Sequence, residues 1–435
     1  MKKLWQTSNG SPTKPAQFVE RFTVGNDFEL DITLLPYDIL GSKAHAKGLH
    51  KIGVLTQKEL ERLLSGLDEI LNLWEEDRFT IDPAQEDGHT AIEQYLTEQY
   101  GDIGKKIHTG RSRNDQVLTA MRLYEKAELE QVLESVKDLA YQFLGFAKDY
   151  EFLPMPGYTH TQPAMLSSVG MWAGAFAEML TLNMNGLKSA CEMVDYCPLG
   201  SAAGFGVNFD LPREFVSDEL GFKAPLTIAM TAQNTRGKIE ADVVHALSSV
   251  TETITQFASD ILLYTSREFN FFEVQSFLTT GSSIMPQKKN VDIAELMRGK
   301  QSEMNSLEFQ LKQLTYRLTS GYQRDLQLTK EPVLKAFTIS KEMIQAAGLL
   351  IDNLHPNEQE MRSKCYAELL AADRANELVK QGMPFRDAYH KVAGQLDRLK
   401  EEDIDEIIRD RTHLGSTGNL GLEKIEERLK SLSSG

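Results

Sequence analysis

The stretch LEQVLESVKDLAYQFLGF, residues 129–146, decides the fold class of this 435-residue chain. Its apolar residues recur three and four positions apart, at Leu129, Val132, Val136, Leu139, Phe143 and Phe146. This spacing predicts a long helix that packs one apolar side against other helices. No proline occurs between residues 84 and 153, so nothing in this interval interrupts the helix.

Similar patterns predict three more long helices, at about 164–192, 238–268 and 292–319. Strand-like alternation is scarce, which argues against a parallel sheet. We therefore expect a mainly all-α chain of three domains: a helical domain at 1–103, a central long-helix bundle at 104–351 and a helical domain at 352–435. One chain cannot bury long helices that are apolar on two sides, and this favours a homo-oligomer.

Composition excludes several classes of function. The formal charge of −16 repels nucleic-acid phosphates, and the apolar runs are shorter than the ~20 residues that cross a bilayer. The three cysteines show no metal-ligand spacing and the N-terminal residues are polar, so we expect a cytoplasmic protein. Two locally basic segments remain as candidate anion sites, at 105–113 and at Lys288–Lys289.

Two polar segments carry candidate functional side chains in the first half of the chain. In GKKIHTGRSRNDQ, residues 104–116, Arg113 is suited to clamp a carboxylate, with Ser112 and Asn114 donating beside it. A capped helix start with surface charges is the alternative. In MPGYTHTQP, residues 155–163, His160 is a candidate general acid or base, or else a histidine with a structural role.

Two further segments lie in the second half. In GSSIMPQKKN, residues 281–290, Ser282 or Ser283 becomes a base only if a nearby cation such as Lys288 lowers its pKa. Glu295, in the next helix, is suited to orient a histidine. The segment YQRDLQLTK, residues 322–330, mixes hydrogen-bond donors and acceptors, although an ordinary interhelix loop has the same composition.

Together the four segments resemble the fumarase/aspartase superfamily and, within it, the argininosuccinate lyase family. GSSxMPxKxN is typical of the whole superfamily, whereas HTGRSRNDQ is specific to this branch. The resemblance implies a homotetramer of mostly helical, three-domain subunits, with each active site built from three subunits. It implies reversible β-elimination of argininosuccinate to arginine and fumarate, in arginine biosynthesis, without a metal or organic cofactor.

The resemblance also implies roles for individual residues. Ser282 is the expected base and His160, backed by Glu295, the expected acid, although the two roles can be exchanged. The resemblance further implies that Lys288 and Asn290 stabilise the dianionic intermediate. Expected ligands of the fumarate carboxylates are Ser112, Arg113 and Thr159, and those of the arginine end are Asn114, Tyr322, Gln327 and Lys330.

The sequence departs from the family pattern in several places. Asp27 replaces a serine, and as a substrate-binding residue it would accept from an α-ammonium group while repelling a carboxylate. Val291 replaces a proline, and the segment 234–242 lacks the family's Ser-Asp-Arg-Asp sequence. These differences concern how the substrate is held more than which reaction takes place.

Two other functions remain as alternatives. Another fumarate-releasing enzyme, such as adenylosuccinate lyase, would need a phosphate-binding set of side chains for its nucleotide. A non-enzymatic, crystallin-like structural protein would keep the fold without the activity. Each position that the resemblance identifies as catalytic carries a residue able to perform that role, and this argues against a structural protein.

Overall fold

The computed structural model describes residues 14–398 and 403–433, and helices dominate both ranges. Their α-helices are α1 (Lys14–Val24), α2 (Asp27–Lys51), α3 (Gln57–Glu75), α4 (Gly88–Tyr100), α5 (Asp102–Lys105), α6 (Arg113–Asp149), α7 (Val169–Val194), α8 (Arg213–Glu219), α9 (Ala229–Thr235), α10 (Lys238–Tyr264), α11 (Asp292–Thr315), α12 (Lys330–Asp352), α13 (Glu358–Ser363), α14 (Ala371–Lys380), α15 (Phe385–Ala393), α16 (Ile404–Asp410) and α17 (Leu422–Ser433).

The strands of the described residues are short and pair only two by two. They are β1 (Pro154–Thr159), β2 (Gln162–Ser168), β3 (Tyr196–Cys197), β4 (Ala224–Pro225), β5 (Phe272–Val274), β6 (Thr280–Gly281), β7 (Lys289–Asn290) and β8 (Leu354–Pro356). The pairs are β1 with β2, β3 with β4, β5 with β8 and β6 with β7.

The prediction of long helices is confirmed. Helix α6 extends over 37 residues and contains the whole of the stretch 129–146. Of the six apolar residues that define the pattern in this stretch, five are buried and Phe146 is half-buried. The other three predicted long helices, α7, α10 and α11, contain 26, 27 and 24 residues. A further long helix, α12, contains 23 residues. The predicted mainly α-helical fold class is therefore correct.

Some predicted helix ends were wrong. Residues 164–168 belong to β2, and α7 begins only at Val169. Pro163 lacks the N–H that a helix interior needs, and the segment pairs with β1 instead. Helix α10 ends at Tyr264, and α11 ends at Thr315.

The described chain forms two compact units. The first contains the described residues up to Glu130, with Ser189–Val244 and Leu307–Lys335. One of its hydrophobic clusters contains twelve buried leucine, isoleucine and alanine side chains, ten of them in α2, α3 and α4, among them Leu35, Leu63 and Leu96. A capping box of Thr56 and Glu59 fixes the start of α3. The expected division into three domains stays a prediction.

The second unit contains Gln131–Lys188, His245–Ser306 and the described residues from Ala336 onward. An aromatic cluster lies in its core, where the Phe143 and Phe257 rings meet edge to face at 4.9 Å between centroids. The Trp172 ring lies 4.9 Å from that of Phe272 in the same cluster. Across residues 14–398 and 403–433, no helix combines the length and apolar character needed to span a bilayer.

Candidate active site

A polar cavity of about 100 Å³ lies in the first unit, among the ends of several elements. Six of the predicted site residues line it: Asp27, Arg113, Asn114, Tyr322, Gln327 and Lys330. Asp27 begins α2, Arg113 begins α6 and Lys330 begins α12. The other lining residues were not predicted to be functional: Val24, Glu86, Asp87, His89, Val117, Arg236 and Arg324.

Lys330 is the buried cation of this cavity. Its Nζ lies 2.6 Å from an Asp31 carboxylate oxygen and 3.4 Å from one of Asp27, and its side chain is only 2% exposed. Burial disfavours the ammonium form, but the two carboxylates outweigh burial and raise the pKa of Lys330. Burial also raises the pKa of Asp27, with Lys330 opposing the shift. One ammonium group is thus shared by two carboxylates.

Arg113 is held by two acidic residues. Its guanidinium lies 3.1 Å from Asp87 and 3.3 Å from Glu86, and it donates to the Thr90 hydroxyl at 3.0 Å. Asp87 is also the N-cap of α4, accepting from the Thr90 N–H at 2.8 Å. Although burial opposes ionisation of Asp87, His89 and Arg113 lower its pKa. The predicted carboxylate clamp therefore already carries acidic partners.

Backbone strain marks the same corner of the cavity. Glu86 has φ 74° and ψ −44°, a conformation that residues with a Cβ rarely adopt. Behind it, the buried His89 forms an ion pair with Asp38. Burial alone would lower the pKa of His89, but Asp38, Asp87 and Asp31 together more than compensate and raise it. In the sequence, the motif EDGH at residues 86–89 indicates this group of acidic residues.

Ser112 supports the start of α6 rather than lining the cavity. Its hydroxyl accepts from the Asn114 N–H at 3.3 Å, and its own N–H donates to Asp115 at 2.9 Å. The buried Asp115 also accepts from the N–H groups of Gly200 and Ala202, at 3.0 and 2.9 Å. These bonds fix the backbone that presents Arg113 and Asn114.

His160 lies in the tight turn between β1 and β2, in the second unit. Thr159 pairs with Gln162, so His160 and Thr161 form a two-residue hairpin loop. Their φ angles are 52° and 59°, the positive values that a type I′ turn requires at both positions. Thr159, His160 and Thr161 are all exposed. The turn therefore presents the imidazole to solvent on a short, rigid support.

The segment 281–290 is an exposed loop closed by the β6–β7 pair. Gly281 pairs with Lys289, and Asn290 with Thr280. The Ser282 hydroxyl oxygen accepts from the N–H groups of Met285 and Ile284, at 3.1 and 3.3 Å. Two N–H donors favour a negatively charged oxygen over a neutral hydroxyl. Lys288 is exposed on the same loop.

Glu295 is exposed in the first turn of α11. It lines a second cavity, of about 420 Å³, together with Lys289 and Asn290. Within residues 14–398 and 403–433, no hydrogen bond or ion pair joins His160 to Ser282 or to Glu295. Each predicted catalytic residue is thus presented at a surface, and their roles stay predictions.

Sequence relatives of this chain cover its whole length. Residues 15–304 match the family described as Lyase. Argininosuccinate lyase of Phocaeicola vulgatus is 41% identical over 433 residues, which cover 100% of this chain and 96% of that protein. Argininosuccinate lyase of Sorangium cellulosum is 41% identical over 427 residues, with 98% of each chain covered.

Solved structures support the fold. EDDS lyase in complex with formate gives a TM-score of 0.80 at 22% identity, covering 98% of this chain and 91% of that one. Fumarate lyase from Mesorhizobium sp. BNC1 gives 0.71 at 15% identity, covering 96% and 94%. The fumarase/aspartase-like fold predicted from the sequence motifs is confirmed. The chain therefore belongs to the argininosuccinate lyase family of the fumarase/aspartase superfamily.

Proposed function

We propose that this protein cleaves argininosuccinate reversibly to arginine and fumarate, the carbon–nitrogen lyase reaction of arginine biosynthesis. The carrying observation is the first cavity, which gathers Asp27, Asn114, Tyr322, Gln327 and Lys330 from distant parts of the chain. Its mixture of carboxylates, cations and amides suits the zwitterionic end of an amino acid. Relatives named for this activity, about 40% identical over the full length, support the same conclusion.

In the proposed mechanism Ser282 acts as the base. Its oxygen removes a proton from the carbon next to a succinyl carboxylate, and the electron pair is delocalised into that carboxylate as an aci-carboxylate dianion. Lys288 and Asn290 supply donors to the dianion, where preorganised donors have their largest effect. The two N–H groups that Ser282 already accepts from stabilise its alkoxide form.

His160 is the acid in this proposal. When the carbon–nitrogen bond breaks, the electron pair of the dianion forms the double bond of fumarate, and the departing guanidino nitrogen takes a proton from the imidazolium. Glu295 favours that imidazolium by its negative charge. The reverse direction exchanges the two roles, so that Ser282 returns the proton to carbon.

The remaining side chains hold the two ends of the substrate. We assign the fumarate carboxylates to Arg113, Ser112 and Thr159. The arginine end is assigned to Asn114, Tyr322, Gln327 and Lys330. Gln327 has a fixed position for this role, because its amide donates to the Val24 and Thr23 carbonyls at 2.9 and 3.1 Å. No metal or organic cofactor takes part in the proposed steps.

The proposed assembly is a cytoplasmic homotetramer whose active sites are shared between subunits. His160, Ser282 and Glu295 are presented separately at surfaces, which fits completion of each site by other copies of the chain. The three cysteines are free thiols and fit a reducing compartment. Nucleic acid is not an expected partner, because the chain carries a formal charge of −16.

The deciding experiment follows fumarate by its ultraviolet absorbance. Purified protein is given argininosuccinate or adenylosuccinate under identical conditions. We expect fumarate release from argininosuccinate only. Release from adenylosuccinate would favour the nucleotide-cleaving alternative, and release from neither would favour a structural protein.

Shared sites predict complementation between two inactive variants. Ser282→Ala and His160→Asn subunits are unfolded together, refolded at equal concentrations and purified as tetramers. If each site takes these residues from different subunits, about a quarter of the sites contain both intact residues, because each residue is intact in half of the subunits. We therefore expect about a quarter of the parental kcat.

Tetramers refolded from Ser282→Ala subunits alone are the control and should stay inactive. A mixed tetramer of verified composition with no recovered activity would show that each site takes both residues from one chain.

A further inference from the structure

Among the described side chains that line the first cavity, some cations have no anionic partner. Arg113 is matched by Glu86 and Asp87, and Lys330 by Asp27 and Asp31. Two guanidinium groups remain among the lining residues. Arg324 is exposed and donates to the Thr23 carbonyl at 2.6 Å. Arg236 is only 4% exposed, although it also lines the cavity.

Arg236 has no polar side-chain partner in the described parts of the chain. Its guanidinium carbon lies 5.3 Å from the centre of the Tyr322 ring, a cation–π contact. The nearby carboxylate of Glu240 is already engaged, by the Gly237 N–H at 2.6 Å and by Arg122 at 3.4 Å. Burial lowers the pKa of Arg236, and the neighbouring Tyr322, Glu240 and Asp27 offset that effect only in part.

An unmatched buried guanidinium is costly unless an anion completes it. Its planar fork of N–H donors fits a carboxylate in particular. Because Arg236 faces a cavity of about 100 Å³, the missing partner can be a ligand.

Asp27 provides the complementary charge in the same cavity. Its side chain is 16% exposed and shares a single ammonium group with Asp31. Burial raises the pKa of Asp27, so an additional cation would stabilise its ionised form. The cavity therefore combines an under-neutralised carboxylate with an unpaired guanidinium.

We propose that Arg236 binds the α-carboxylate of the substrate's amino-acid end while Asp27 binds the α-ammonium group. The pair selects substrates and products whose α-amino and α-carboxyl groups are both free. This inference rests on the proposed function and adds a specificity determinant outside the sequence motifs, within the segment 234–242 that departs from the family pattern.

The test compares arginine with argininamide, which lacks only the α-carboxylate charge. Binding to the parental protein and to Arg236→Met is measured by calorimetry, so the result does not depend on turnover. We expect the parent to prefer arginine by about 10- to 100-fold, the range for a lost charge-assisted hydrogen bond. Arg236→Met should bind both compounds weakly and without preference. An unchanged preference in Arg236→Met overturns the proposal.

Three further measurements separate ligand binding from a structural role. Arg236→Lys should regain part of the preference, because an ammonium group keeps the charge but loses the fork. Arg324→Met, the matched control, should retain the parental preference for arginine over argininamide. In turnover of argininosuccinate, Arg236→Met should raise KM by about 10- to 100-fold with kcat within a few-fold.

Thermal stability supplies an independent check. Removing an unpaired buried charge should leave the Tm of the ligand-free protein unchanged or raise it. A lowered Tm together with an unchanged KM would make Arg236 a structural residue. If the parent binds arginine but does not cleave argininosuccinate, the proposed function fails while the Arg236 proposal is still decided by the binding data.

Discussion

Ser282→Ala should lower kcat for argininosuccinate by about 100- to 10,000-fold, the contribution of a general base. Alanine cannot take the proton from carbon, and it removes the oxygen that accepts from the Met285 and Ile284 N–H groups. KM should change little, because Ser282 acts on the transition state more than on bound substrate. The measurement is initial-rate fumarate release over a range of substrate concentrations.

Ser283→Ala is the matched control for this experiment. Ser283 is the same residue type on the same exposed loop, and it neighbours Ser282 in sequence. It should keep kcat within a few-fold of the parent. A Ser282→Ala protein that turned over as fast as Ser283→Ala would remove Ser282 from the mechanism and leave the family assignment intact.

Arg122→Met should lower the free energy of unfolding by about 3–5 kcal/mol, the cost of breaking a buried ion pair. The Arg122 guanidinium lies 2.5 Å from Glu125 and 3.4 Å from Glu240, and all three residues are buried. Methionine fills similar space but leaves both carboxylates without a cation. Denaturant unfolding, followed by circular dichroism, provides the measurement.

This loss should depend on pH. Burial, followed by repulsion from Glu240 and opposed by Arg122, raises the pKa of Glu125 to about 8. A raised carboxyl pKa means that the folded state binds the proton more tightly than the unfolded state. The contribution of Glu125 to stability is therefore greatest at acidic pH and falls as the pH rises towards about 8. Without Arg122 to oppose the shift, the decline should continue to higher pH.

Two variants test the electrostatic explanation. In the Arg122→Met background, Glu125→Gln removes a carboxyl group that becomes charged without a cation as the pH rises above its raised pKa, and it should recover part of the stability at alkaline pH. Lys312→Met breaks an exposed helical ion pair with Glu308 and should cost at most about 0.5 kcal/mol. A cost for Arg122→Met as small as that of Lys312→Met would show that the buried network contributes little.

The long helices were predictable because their apolar spacing is local. The five apolar residues of this pattern from Leu129 to Phe143 are buried as predicted. Helices α2 and α12 were not predicted. Pro36 lies inside α2 and interrupts its pattern, yet the helix continues for 25 residues because its packed face outweighs the lost hydrogen bond.

The conformation of the hairpin around His160, by contrast, could not be predicted from the sequence. Prolines and a glycine marked the segment as rigid, but the turn itself places two non-glycine residues at positive φ. Propensity disfavours Thr161 in that conformation, and only the paired strands on either side enforce it. Sequence therefore identified the histidine without identifying how it is presented.

What the sequence determined by itself is the fold class, the family and the polar segments that carry the chemistry, because apolar periodicity and motif spacing are properties of neighbouring residues. Tertiary structure alone decided which charges meet. Arg113 faces Glu86 and Asp87, Lys330 is shared by Asp27 and Asp31, and Arg236 is left unpaired in the same cavity. Electrostatic energy depends on distance and burial in space, and neither is encoded in the spacing of residues along the chain.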